Sequence, residues 1–352
     1  MMAGTAPKRV LDLTKRNPAL EPLIGKLNTR IVGQPEAQRV LVDMVSVHLS
    51  GLGDPEKPAG NALFLGPTGT GKTYAVESMC EGLVGDKRAC IKIDCAEFQH
   101  GHEIAKLVGS PPGYLGHRET HPMLTQEALN QFHKPGFELS VLLLDEIEKA
   151  SDSLWQLLLG ILDKATLTLG DNRKVDFCKV LIIMTSNLGA KQMNPKGFGF
   201  KPNVTIDVDD AKISTIAKEA AKRHFTPEFM NRLEHIVTFK TLTEEHVRQV
   251  MQIELGRIQQ TMLRKTHFVY QLTDKAKDRI IAEGYSTEYG ARALKRKLDQ
   301  YVRLPLSNLI MSGEIADGNA VVIDDTGEEN FEFSVQPLSQ TQVRFKDLED
   351  VL

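Results

Sequence analysis

The chain has little that marks a secreted, zinc-bound or membrane-embedded protein. Its four cysteines, Cys80, Cys90, Cys95 and Cys178, form no C-x-x-C pair, which argues against a zinc or disulfide framework. They read as reduced packing residues, three of them inside helix or strand patterns. No apolar run approaches the ~20 residues needed to span a bilayer. The first ten residues carry Lys8 and Arg9 with no apolar segment behind them, so no secretory leader is read and a cytoplasmic protein is expected. An excess of one charge is also missing. Lys plus Arg total 43 against 46 Asp plus Glu, a net of −3, so no overall field favours nucleic acid or an anionic membrane as partner. Low-complexity tracts and solenoid-period repeats are absent as well.

What is present is enough apolar material, 41% of 352 residues, for two or three packed domains. Residues 1–22 carry prolines and charges without periodicity and read as an extension. From 23 to 240, apolar strand candidates alternate with helical patterns, which predicts an α/β domain with a mainly parallel sheet covered on both faces. The strand candidates are Ala62–Leu65, Cys90–Asp94, Val141–Leu144, Val180–Thr185 and Ile236–Phe239. From 241 to 336 the texture turns helical: long patterns begin at Thr243, Leu272 and Ala291, and a short β hairpin is expected at Ala320–Ile323 and Phe331–Val335. Residues 337–352 read as a tail. Trp155, beside the apolar stripe Leu154, Leu158, Ile161 and Ala165, reads as a packing residue.

Between the first strand candidate and an amphipathic helix lies Gly66-Pro67-Thr68-Gly69-Thr70-Gly71-Lys72-Thr73, the G-x-x-x-x-G-K-[ST] loop that binds a nucleoside triphosphate. Its glycines let successive N–H groups face one anion, and the following helix adds its positive end. Lys72 is placed to reach the β/γ-phosphates and Thr73 to offer a hydroxyl to Mg2+. Phosphoryl transfer to water also needs metal-binding and water-activating acids. Val141-Leu142-Leu143-Leu144-Asp145-Glu146 supplies both: Asp145 for the metal shell, Glu146 to polarise water. Glu148 is a weaker candidate for that role and reads rather as an exposed acid at a helix start. Asn187, behind the strand Val180–Thr185, could hold the lytic water, although an Asn there is usually a turn residue.

Taken in order, these motifs resemble the Clp unfoldase and disaggregase branch of the AAA+ ATPases, the second ATPase ring of ClpB-, ClpC- and ClpA-like proteins, over about residues 20–325. The resemblance implies an AAA+ P-loop fold with a parallel sheet sandwiched by helices, then a small, mostly helical C-terminal domain. It implies ATP and Mg2+ as cofactors, with Ile31 and Val32 in Arg30-Ile31-Val32-Gly33-Gln34 as base contacts. Asn187 in Thr185-Ser186-Asn187-Leu188-Gly189 matches sensor 1, and Arg292 in Tyr289-Gly290-Ala291-Arg292 matches sensor 2. Arg232 in Asn231-Arg232-Leu233 matches the arginine finger, which acts on a neighbouring subunit and so requires a ring, a homo-hexamer. Gly109 to Gly116 matches the pore loop, with Tyr114 and Leu115 gripping unfolded or aggregated polypeptide clients. Phe198-Gly199-Phe200 lies where protease-linked relatives carry a docking tripeptide for the ClpP peptidase, but it matches only loosely and a plain Gly/Phe turn is the favoured reading. Departures include His117-Arg118-Glu119-Thr120-His121 at the pore rim, and Asp163-Lys164-Ala165-Thr166, which puts the second pore loop in doubt. A metal role for the rim histidines is not favoured. Lys295-Arg296-Lys297 is a basic patch better read as a solvated face than as a nucleic-acid site. The function expected is an ATP-driven unfoldase; the alternative is an ATP-regulated adaptor or regulatory subunit of a ClpP-like protease that threads no client.

Overall fold

Strands with uninterrupted apolar runs must be covered on both faces, and here they are. The structure, a computed structural model, describes residues 17–110, 121–190, 210–264, 266–285, 290–328 and 330–337. In chain order its first part carries β1 (Gly60–Leu65), β2 (Ile91–Asp94), β3 (Ser140–Asp145), β4 (Thr166–Thr168), β5 (Lys174–Asp176), β6 (Val180–Ser186) and β7 (His235–Thr238). Five of these form one sheet in the order β2-β3-β6-β1-β7, every pairing parallel. All residues of β1 and β6 are buried. Successive side chains feed opposite layers: Leu63, Leu65, Leu142, Leu144, Ile182 and Met184 enter one core; Ala62, Phe64, Val141, Leu143, Leu181 and Ile183 enter the other.

All five expected strands are found, with ends shifted by one or two residues. The expected extension over residues 1–22 does not hold at its C-terminal end. Asn17 caps a 3-10 turn, Pro18–Leu20, by accepting from the Ala19 N–H. Leu20, Leu23 and Leu27 are buried, so this stretch packs with the domain. The close approach depends on Gly82, where a Cβ would stand 2.9 Å from Leu23 Cα.

The second part packs helices Glu244–Leu263, Asp274–Gly284, Ala291–Leu298 and Leu304–Ser312 around its own core, which includes Val247, Met251, Ile280, Leu294 and Val302. The expected hairpin is present as β9 (Asn319–Asp324) and β10 (Glu332–Pro337), paired antiparallel. A third strand, β8 (Val269–Leu272), runs parallel to β9 and is not expected from the sequence. The helical pattern read from Ala291 to Ile310 is interrupted by a π turn at Asp299–Arg303, just ahead of Pro305, which has no N–H to donate. The antiparallel pair β4–β5 is also new, with Ala165 in the left-handed region before it. Trp155 packs as expected: its ring meets Phe229 edge-on at 4.7 Å and its Nε1–H donates to Ala150 O.

Candidate active site

In an open parallel sheet, ligands bind beyond the carboxyl ends of the strands, and β1, β3 and β6 deliver their ends to one place. β1 runs into Gly66, whose φ of 147° and approach to Phe239 leave no room for a side chain: a Cβ there would lie 2.5 Å from Phe239 O. Thr70 Oγ1 donates to Pro67 O at 2.8 Å and closes the loop. Lys72, at the start of helix Lys72–Val84, is 7% exposed. Its Nζ donates to Gly66 O at 2.6 Å, Pro67 O at 2.9 Å and Asn187 Oδ1 at 2.9 Å. Burial lowers its pKa to about 8, and the nearby charges of Glu148 and Asp145 oppose that shift. The ammonium is thus poorly solvated and compensated only by carbonyls and acids, a site that favours an anion.

β3 ends in the two acids. Thr73 Oγ1 donates to the Asp145 carboxylate at 3.1 and 3.2 Å, Lys92 Nζ lies 3.4 Å from Asp145 Oδ2, and Thr185 Oγ1 donates to Asp145 Oδ1. Among the described residues no three His, Cys, Asp or Glu side chains gather to hold a metal. A hard cation at Thr73 and Asp145 would therefore complete its oxygen shell with phosphate and water, the usual Mg2+ arrangement. The hydroxyl and carboxylate fit that role. Glu146 turns the chain in the left-handed region, φ 55°, and its N–H donates to Thr185 Oγ1 at 3.2 Å. Its carboxylate meets Lys149 Nζ at 2.5 Å and accepts from Asn187 Nδ2 at 3.3 Å.

Asn187, just past β6, joins the two halves of this constellation. Its Oδ1 accepts from Lys72 and, at 3.3 Å, from Thr68 Oγ1, while its amide nitrogen faces Glu146. Glu148 is not the exposed acid expected: it is half-buried, and its Oε1 accepts from the Asn187 N–H at 3.0 Å.

These groups form one wall of a cleft of about 250 Å3. The cleft is also lined by the apolar side chains of Ile31, Val32, Leu242, Val250 and Ile253, of the kind that hold a flat ring system. The second domain closes the cleft with Arg292 and Lys295. Gly290 brings it in with φ 52°, and the Ala291 N–H donates to Gly69 O of the phosphate loop at 3.1 Å. A second tie crosses at Tyr74. Arg257 from the second domain lies over its ring at 4.7 Å and donates to its hydroxyl, which Arg30 also reaches at 3.3 Å. Within the first domain Gln34 exchanges two hydrogen bonds of 2.9 Å with the backbone of its last residue, Lys240.

Of the residues singled out from sequence, Ile31, Val32, Thr68 to Thr73, Asp145, Glu146, Asn187 and Arg292 line this cleft, with Gly66 and Pro67 forming the base of the loop. Arg232 does not. It ends the helix Pro227–Arg232, where Asp163 lies 3.4 Å from Nε and Glu228 Oε1 lies 3.2 Å from Nη2. Tyr114, Leu115 and the Phe198-Gly199-Phe200 tripeptide lie outside the described residues. The β4–β5 tip docks at the foot of that first loop: the Gly170 N–H donates to Val108 O at 2.8 Å. Thr185, Lys149, Tyr74 and Arg257 were missed in the sequence, and Glu148 entered only as a weaker candidate. Only Thr185, at the end of an apolar strand beside Asn187, carried a local signal.

Known proteins give matching comparisons. The family described as AAA domain (Cdc48 subfamily) matches residues 57–236, and the one described as the C-terminal, D2-small domain of ClpB protein matches residues 242–323. The chain is 37% identical over 323 residues to the ATP-dependent Clp protease ATP-binding subunit ClpC of Staphylococcus aureus (strain USA300), covering 91% of this chain and 38% of that protein. It is 37% identical over 304 residues to the chaperone protein ClpB of Pseudomonas putida, covering 86% and 33%. Among solved structures, a closed-state cryo-EM reconstruction of Hsp104 with ATPγS and FITC casein aligns with a TM-score of 0.74 at 31% identity, covering 89% of this chain and 51% of that one. The chain thus spans well under two thirds of the length of these relatives.

Proposed function

We propose that this chain, which belongs to the Clp-type AAA+ ATPases and resembles their second ring, hydrolyses ATP between subunits of a homo-hexamer and uses the cycle to thread polypeptide. The observation that carries this reading is the meeting of Lys72, Thr73, Asp145, Glu146 and Asn187 at three strand ends, with Arg292 supplied by the second domain and Arg232 outside the lining of its own cleft, paired with Asp163 and Glu228. Lys72 and the loop N–H groups would bind the phosphates, and Ile31 and Val32 the base. Mg2+ bound at Thr73 and Asp145 would supply charge neutralisation of the phosphates. Glu146 would take a proton from water held by Asn187, and Arg292 would tie the small domain to the phosphates. Arg232, a planar donor fork that stays charged, suits a γ-phosphate bound by the adjacent subunit.

In the same reading, residues 23–240 form the ATPase domain and 241–336 the small domain. Tyr114 and Leu115 are the client grip, unfolded or aggregated polypeptide is the client, and the cytoplasm is the compartment. Hsp104, in its reconstruction with casein, and the Clp relatives support the client class. A mixing experiment tests the subunit boundary. Glu146→Gln and Arg232→Ala should each be inactive in steady-state ATPase, yet a mixture should regain activity, because some boundaries then pair an intact Glu146 with an intact Arg232. A mixture as silent as its parts, under conditions where light scattering shows mixed rings, would refute the shared site.

A further inference from the structure

The reaction proposed above needs Asn187 aimed at two groups at once, Lys72 and Glu146, and a side chain can hold such an aim only if its backbone is fixed. β6 stops at Ser186, so the Asn187 N–H lies beyond the sheet ladder. The group that takes it is Glu148 Oε1, at 3.0 Å.

Glu148 is itself held on several sides. It sits in the 3-10 turn Ile147–Lys149, entered through the left-handed Glu146. The turn is closed by Lys149 N–H to Glu146 O at 2.9 Å and Ala150 N–H to Ile147 O at 3.1 Å. Ile147 is wholly buried and anchors the turn in the core. From the helix Asp210–His224, His224 Nε2 approaches Glu148 O at 3.2 Å. The second carboxylate oxygen, Oε2, is enclosed and has no hydrogen-bond partner among the described residues. An enclosed anionic oxygen is costly to keep, and the grip on Asn187 is the visible return.

We infer that Glu148 is a positioning residue for hydrolysis: through the Asn187 N–H it fixes the peptide from which the Asn187 amide spans Lys72 and Glu146. Glu148 is not among the residues lining the cleft, though its charge acts on Lys72. Its loss should therefore lower turnover beyond any change in nucleotide affinity, and a change that comes through the lost charge should appear equally in Glu148→Gln.

The inference rests on the hydrolytic reading of the site, and the test separates the two. Steady-state ATPase and the affinity for a fluorescent ADP analogue are measured on the full chain for Glu148→Ala, Glu148→Gln and Asn187→Ala. Glu148→Ala should lose about tenfold or more in turnover, the range commanded by a lost charge-assisted hydrogen bond, beyond any change in affinity, which Glu148→Gln should share. Glu148→Gln keeps an acceptor oxygen for the Asn187 N–H and should restore most of the turnover. If Glu148→Ala turns over like the parent, or Glu148→Gln falls as far as Glu148→Ala, the positioning role is wrong. If Asn187→Ala itself turns over normally, the hydrolytic reading fails first. Should Glu148→Ala not fold, Glu148→Asp, which withdraws the acceptor by one methylene, must show the same loss of turnover for the inference to stand.

Discussion

Gly290→Ala probes the junction of the two domains with the least chemistry. At φ 52° and ψ −140° an L residue carries strain of about 1–3 kcal/mol. The added Cβ would also lie 2.7 Å from Gly69 O, a backbone atom that cannot step aside. Holding the junction together there is the bond from the Ala291 N–H to Gly69 O, 3.1 Å, worth about 0.5–1.5 kcal/mol net. The strain and the clash with Gly69 O together outweigh the bond, so the segment should yield by lifting the small domain from the phosphate loop. Arg292 would leave the cleft with it. The expected result is nucleotide affinity weakened by about 1–2 kcal/mol, roughly 5- to 30-fold, read by titration of a fluorescent nucleotide, with little change in the melting of the large domain. Gly313→Ala is the control: its φ is 79° but nothing lies within 4 Å of the added carbon, so it should cost stability and leave affinity alone. Unchanged affinity in Gly290→Ala, or equal loss in Gly313→Ala, would refute the reasoning.

Two further outcomes are expected. Thr185→Val keeps the shape of a side chain only 1% exposed but removes the donor to Asp145 and the acceptor for the Glu146 N–H. It should cost about 1–3 kcal/mol in urea denaturation, recovered by Thr185→Ser; equal stability of all three would remove Thr185 from the account. In the small domain, hydrogen bonds from Lys297, Tyr301 and Arg279 hold the Glu283 carboxyl down at about 2. A carboxyl depressed in the folded state stabilises above its unfolded value of about 4.5, and that stabilisation is lost as pH falls toward 2. The stability gap between the parent and Glu283→Gln should accordingly be wide at pH 6 and narrow steadily below pH 4.5; a gap independent of pH would contradict the assignment.

The phosphate loop and the β3 acids were legible because their chemistry is contiguous: apolar strand, turn, then functional group, all within twelve residues. The five-stranded sheet was legible for the same reason, since strands buried on both faces advertise themselves as unbroken apolar runs. Asn187 and Arg292 needed the family resemblance, because one Asn or Arg carries no local pattern. Glu148 was misread because its role depends on Asn187, 39 residues on, and an acid three places after Asp145 looks like any helix-start charge. The pair β4–β5 has three residues per strand, too few for an alternation to register. Tyr74 and Arg257 lie 183 residues apart, beyond anything periodicity can report.

The Tyr74 phenol has a mechanical consequence. A guanidinium lying on an aromatic face is held over a short range only, so parting it is a step and not a stretch. With Arg257 riding on one lobe and Tyr74 on the other, the hinge should behave as a clasp, fastened or released, with few molecules in between. Distances recorded between probes on the two lobes should then fall into two populations, whose ratio shifts with bound nucleotide while their positions stay put.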